Sequence, residues 1–129
     1  MTMQDEYREK AKEALDKLQT QLDELRVQAD LAQAEARDRL ENAVDALRAR
    51  QRDARARLDD AAKAGGDAWK TAASQIEDSV DSLGDAFSKL ADEVASAVGA
   101  AGDASKRGYS TFLDEWKKAR AERKALLDE

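Results

Sequence analysis

The first 64 residues contain neither proline nor glycine, and apolar residues recur through them at alternating steps of three and four. That combination leaves few folds open. Nothing in the segment stops a helix, and the spacing keeps one apolar stripe on one helical face. The stripe reads Leu15, Leu18, Leu22, Leu25, Ala29, Ala32, Ala36, Leu40, Val44, Leu47, Gln51, Ala54, Leu58 and Ala61. Ala, Leu, Arg, Lys, Glu and Gln dominate the segment, all strong helix formers. Thr2 is the expected N-cap, with Asp5 and Glu6 in an acidic first turn. The expectation is one helix over about 3–64, on the order of 90 Å long at ~1.5 Å per residue. Between Ala32 and Leu47 the stripe slips by one residue, read as a local relaxation of supercoiling.

Gly65-Gly66 is the clearest punctuation, and Asp67 after it suits a fresh N-cap. A second stripe then runs Trp69, Ala73, Ile76, Val80, Leu83, Phe87, Leu90, Val94 and Ala97. Gly84 interrupts it at a cost of about 1 kcal/mol relative to Ala. Through residues 99–108 the glycines Gly99, Gly102 and Gly108 weaken the helix, and Asp103 or Thr111 could cap a new one. The apolar pattern returns at Tyr109, Phe112, Leu113, Trp116, Leu126 and Leu127. Two readings stand: one helix over about 67–128, or two helices with a break near 99–108.

The double glycine splits the chain into near-equal halves, which predicts an all-α fold: a long antiparallel helical hairpin of coiled-coil type turning at Gly65 and Gly66. Residue i then lies near residue 131 − i. Ala29, Ala32 and Ala36 fall opposite Gly102, Gly99 and Ala95, small against small. The arginine-rich run 48–57 falls opposite Glu77, Asp78, Asp81 and Asp85. The expected core or interface is Leu15, Leu18, Leu22, Leu40, Val44, Leu47, Leu58, Trp69, Ile76, Val80, Leu83, Phe87, Leu90, Phe112 and Trp116. A two-helix hairpin leaves aromatic surface wet, so the expected assembly is a homo-oligomer, a dimer forming a four-helix bundle.

Composition removes several function classes. The chain has no Cys and no His, so disulfides, thiol chemistry, His bases and His-ligated metals are excluded. No metal or cofactor set is expected, and no catalytic residue. The net charge of −6 argues against nucleic acid as a partner. The arginine run reads as intramolecular pairing plus a solvated face. The abundant carboxylates read as solvated helix surface, since paired-acid chemistry needs a concave pocket. The first ten residues lack an apolar targeting segment, and the least polar window, 94–102, is too short for a membrane span. A cytoplasmic location is therefore expected. The low mean hydropathy of −0.79 would also suit a chain that orders only on drying, but leucine heptads argue for order in water.

Certain residues resemble a family. Tyr7 and Lys10, Lys17-Leu18, Leu22-Asp23-Glu24-Leu25, Asp67-Ala68-Trp69-Lys70 and Asp85-Ala86-Phe87 follow the order seen in small coiled-coil, stress-response-associated proteins of cyanobacteria and other bacteria. The similarity covers about residues 5–94; the segment 99–129 departs from it. The resemblance implies a non-enzymatic helical protein with no defined catalytic residue. The expected function is thus structural or protective, stress-related, through helix–helix self-association. The alternatives are a scaffold or adaptor that binds a partner helix, and a lipid-surface amphipathic protein.

Overall fold

A computed structural model describes residues 2–61, 63, 65–66, 68–98 and 102–128, the side chains of 102–106 excepted. The described residues form four helices: α1 (Met3–Asp30), α2 (Ala34–Ala61), α3 (Ala68–Val98) and α4 (Gly102–Asp128). The fold is all-helical. Each helix packs against the next, α4 packs back on α1, and α1 also reaches α3.

The expected single helix over 3–64 is therefore corrected. It is interrupted at Leu31, Ala32 and Gln33. The α1 end tightens into three-residue steps, with Leu31 N–H donating to Gln28 O and Ala32 N–H to Ala29 O. Gln33 O then accepts from Ala36 and Arg37 to begin α2. The second half is likewise two helices, α3 ending at Val98 and α4 beginning at Gly102. Gly99, in the expected weak stretch and in the expected small-on-small contact, lies outside the described residues.

The physical reason for the interruption is burial. Breaking a helix unpairs a few backbone groups at each new end, each worth about 1 kcal/mol net and partly recovered by the three-residue steps. Covering one large apolar side chain is worth about 1.5–3 kcal/mol. Folding the first half back on itself lets all four stripes share one core. Phe87, Tyr109, Phe112 and Trp116 are buried there. The Phe87 ring meets Tyr109 and Phe112 edge-on, with centroids 5.6 and 5.3 Å apart. The wet aromatic surface that motivated a dimer is thus covered within one chain.

Three cross-helix contacts lie close to the expected antiparallel offset. Arg39 Nη1 lies 3.1 Å from Glu93, Arg50 Nη2 donates to Ser82 at 2.7 Å, and Lys10 Nζ lies 3.3 Å from Glu122. Each pair adds to 132, against the expected 131. Two of these contacts join α2 to α3 and one joins α1 to α4. Contacts between α1 and α2 obey a different register, given by Asp23–Arg48, Asp16–Arg55 and Arg26–Asp45. No described helix is long and apolar enough to cross a membrane.

Candidate functional site

The core holds three buried polar residues among those described: Gln51, Glu77 and Arg123. Gln51 occupies a stripe position of α2, and its Nε2 donates to Leu15 O of α1 at 2.9 Å. Glu77 and Arg123 form a buried ion pair. Glu77 follows Ile76 on the inner side of α3. Arg123 stands one heptad after Trp116 on α4, and none of its side-chain surface reaches solvent. Arg123 Nε donates to Glu77 Oε1. The Tyr7 hydroxyl, from α1, lies 2.9 Å from the same oxygen and 3.2 Å from Ala73 O, donating between them. The Arg123 guanidinium carbon also sits 5.8 Å from the Trp116 ring centroid, a cation–π distance.

Three helices thus meet at one carboxylate oxygen. Burial, followed by the charge and hydrogen bonding of Glu77, pushes the Tyr7 hydroxyl well above its ordinary pKa, so it remains a proton donor. Glu77 Oε2 and both terminal nitrogens of Arg123 are buried without a hydrogen-bond partner among the described residues. One turn along, Asp81 is flanked by Arg120 Nε at 2.9 Å and Lys124 Nζ at 3.6 Å. The cluster is electrostatically dense and closed. Its chemistry is that of a fastener between helices, and the cavity that Tyr7 borders holds only about 10 Å3. No group of three or more acidic side chains among the described residues could hold a metal ion.

Comparison with known protein families, with curated proteins and with solved structures finds no match.

The residues expected in the core occupy one cluster. Leu15, Leu18, Leu22, Leu40, Val44, Leu47, Leu58, Ile76, Val80, Leu83, Phe87, Leu90, Phe112 and Trp116 are buried, and Trp69 packs against them half-buried. Gly65 and Gly66 lie between α2 and α3, and Gly66 takes φ +59°, the left-handed conformation that favours glycine. The arginine run is placed differently from expectation. Arg48 pairs with Asp23 at 2.9 Å, and Arg55 with Asp16 at 3.6 Å and Asp59 at 2.7 Å. Arg50 does reach α3, at Ser82. The bend at 31–33 brings α1 carboxylates alongside the run, while α4 supplies Arg120, Arg123 and Lys124 to the acidic side of α3. Sequence reasoning missed Arg123 and Glu77 as a buried pair. The available signal was the gap between Trp116 and Leu126, where a heptad count lands on Arg123.

Between α1 and α4 runs an open groove of about 310 Å3. Ala14, Phe112, Trp116 and Ala119 contribute its apolar surface, and Lys10 and Lys17 line it with glutamates beside them.

Proposed function

We propose that this chain works without catalysis, as a helical packing module with a structural or protective, stress-related role exerted through contact with itself or another protein. The observation that carries the reading is the use to which the buried ionic groups are put. Arg123 and Glu77 hold α1, α3 and α4 together, and their charges are spent on one another and on Tyr7. The surface charges follow the same pattern, pairing helix to helix at Asp23–Arg48, Arg39–Glu93 and Lys10–Glu122. Such exposed pairs add little stability, ~0–1 kcal/mol each, but they keep a charged shell around the apolar stripes. The stress association rests on the sequence resemblance over residues 5–94.

The test is protection of a labile reporter enzyme during heating and drying, alongside light scattering of the chain from micromolar to millimolar concentration. The reading expects recovered reporter activity to rise with added chain, and association at the upper concentrations. Recovery no better than with an inert globular protein, with no association at any concentration, contradicts it.

The groove between α1 and α4 favours a second reading, a scaffold that takes a partner helix on Phe112 and Trp116. A single stoichiometric partner retained by the chain, and lost on Trp116→Ala with the fold intact, separates this from a general protective role.

A further inference from the structure

The two ends of α2 are built differently. Its C-terminal link carries Gly65-Gly66, with a left-handed φ at Gly66. Its N-terminal link is Leu31-Ala32-Gln33, and none of these is a turn former or an N-cap residue. Leu and Ala are among the best helix formers, and Gln is close behind. Leu31 keeps right-handed helical backbone angles, φ −82° and ψ −9°. The buried stripe passes straight through the corner, from Leu25 and Ala29 through Ala32 to Leu40. Leu31 itself is 62% exposed, one of two large apolar side chains left in solvent among the described residues; the other, Val27, is one turn before it. Local sequence preference at this corner is for continuing the helix, and only the packing of α1 on its neighbours opposes it.

The α1–α2 register completes the argument. Asp16–Arg55, Asp23–Arg48, Arg26–Asp45 and Arg26–Glu41 are antiparallel pairs centred within a few residues of Gln33. Suppose α1 and α2 straighten into one helix over 3–61. Two such helices crossing antiparallel at Gln33 would then form the same pairs between copies. The Gln51–Leu15 and Tyr7–Glu77 hydrogen bonds would re-form the same way. A straightened chain exposes the face of α1 that carries Tyr7, Leu15, Leu18, Leu22 and Leu25. It also exposes the trough on α2, α3 and α4 that this face had filled. The one surface complementary to each is present on a second copy of the same chain.

We propose that α1 exchanges between two copies of this chain by straightening at Leu31–Gln33, giving a dimer in which each α1 completes the other copy's bundle. The proposal deepens the self-association reading and rests on it. The exchanged dimer leaves the internal contacts of α2, α3 and α4 unchanged.

Ala34→Pro separates the two forms. Ala34 is the first residue of α2, where proline is tolerated because its N–H has no helical partner. In a straight helix the same proline removes the bond to Asp30 O and clashes with the preceding turn. The substitution is introduced with and without Asp23→Cys plus Arg48→Cys, in a chain that has no other cysteine. Each protein is refolded from guanidinium at high concentration. Its mass is read by light scattering, and a short bis-maleimide then links positions 23 and 48. A short Gly-Ser insertion after Ala32 serves as a second variant, because it relaxes the corner without a proline.

The expected result is a species of twice the 14.2 kDa chain mass that becomes a covalent dimer on linking. Ala34→Pro and the insertion should both lose that species, retain the helical circular dichroism of the parent, and link only within one chain. A dimer that links only within chains overturns the exchange but leaves self-association standing. So does a dimer that persists undiminished in Ala34→Pro and in the insertion variant. A chain that stays monomeric under every condition overturns both.

Discussion

Arg123 shows what a single side chain does in this core. Its charge is removed from water and answered by one carboxylate, Glu77, while its terminal nitrogens stay unpartnered among the described residues. Such a pair adds little net stability, yet breaking it is costly because the remaining charge is stranded. Arg123→Ala is expected to lower unfolding free energy by about 3–5 kcal/mol in urea titration. Replacing both partners, Glu77→Leu with Arg123→Met, should recover most or all of that loss; a double variant as unstable as the single one would contradict the assignment. The tyrosines give the pH dependence. Burial raises Tyr7, and burial with the nearby charge of Glu24 raises Tyr109 from 10.0 to about 12. The folded state therefore holds these protons after the unfolded chain has released them. Their contribution is complete below pH 10 and declines above it, on the order of 1 kcal/mol per pH unit for each tyrosine while the folded form stays protonated. Tyrosine absorbance followed against pH should show ionisation delayed in the folded protein relative to its urea-unfolded form. Coincident titration curves would refute the burial of both hydroxyls. Gly84 is a third residue-scale case. A Cβ there would overlap the Trp116 indole, so α3 and α4 approach through this glycine. Gly84→Ala should destabilise by about 1–3 kcal/mol despite the better helix propensity of alanine. A stabilised variant in thermal melts would mean the indole sits elsewhere.

At the scale of elements, the strong local signals were readable and the weak one was not. Thr2 caps α1 with its Oγ1 accepting from Asp5 N–H, and Gly66 turns the chain with a positive φ. Both positions were identifiable because the residue types carry the chemistry. Thr2→Ala should cost about 0.5–2 kcal/mol, read as a fall in thermal midpoint. The corner at Leu31–Gln33 carries no such chemistry. Its trace in the sequence was the one-residue slip of the stripe after Ala32, where successive steps of four run through Ala36, Leu40 and Val44. A slip of that size fits a bent coiled coil as well as a broken helix, and what decides between them is tertiary burial. The same corner explains why the arginine run was assigned to the wrong acids. Charge complementarity named the partner sign, but α1 offers Asp16 and Asp23 as readily as α3 offers Glu77 and Asp81. Arg123 escaped for a related reason: a charged residue on a heptad position reads as surface until its neighbours are known.

For the molecule as a whole, the chain is folded in half twice. Across the link that carries the double glycine, the first fold, α2 packs on α3, and α4 packs on α1. The second, at the helical corner, brings α1 onto α2 and closes the core around Phe87, Phe112 and Trp116. That second fold distinguishes a bundle complete in one chain from an extended hairpin, and every proposal about association depends on it. Spin labels at positions 16 and 55, on chains diluted with unlabelled protein at low micromolar concentration, test it most directly. Asp16 and Arg55 are 3.6 Å apart as an ion pair across α1 and α2. The labels should therefore report a short intrachain distance, set mainly by their own linkers. A straight helix would place these positions roughly 60 Å apart at ~1.5 Å per residue, and a distance in that range from isolated monomers would contradict the account.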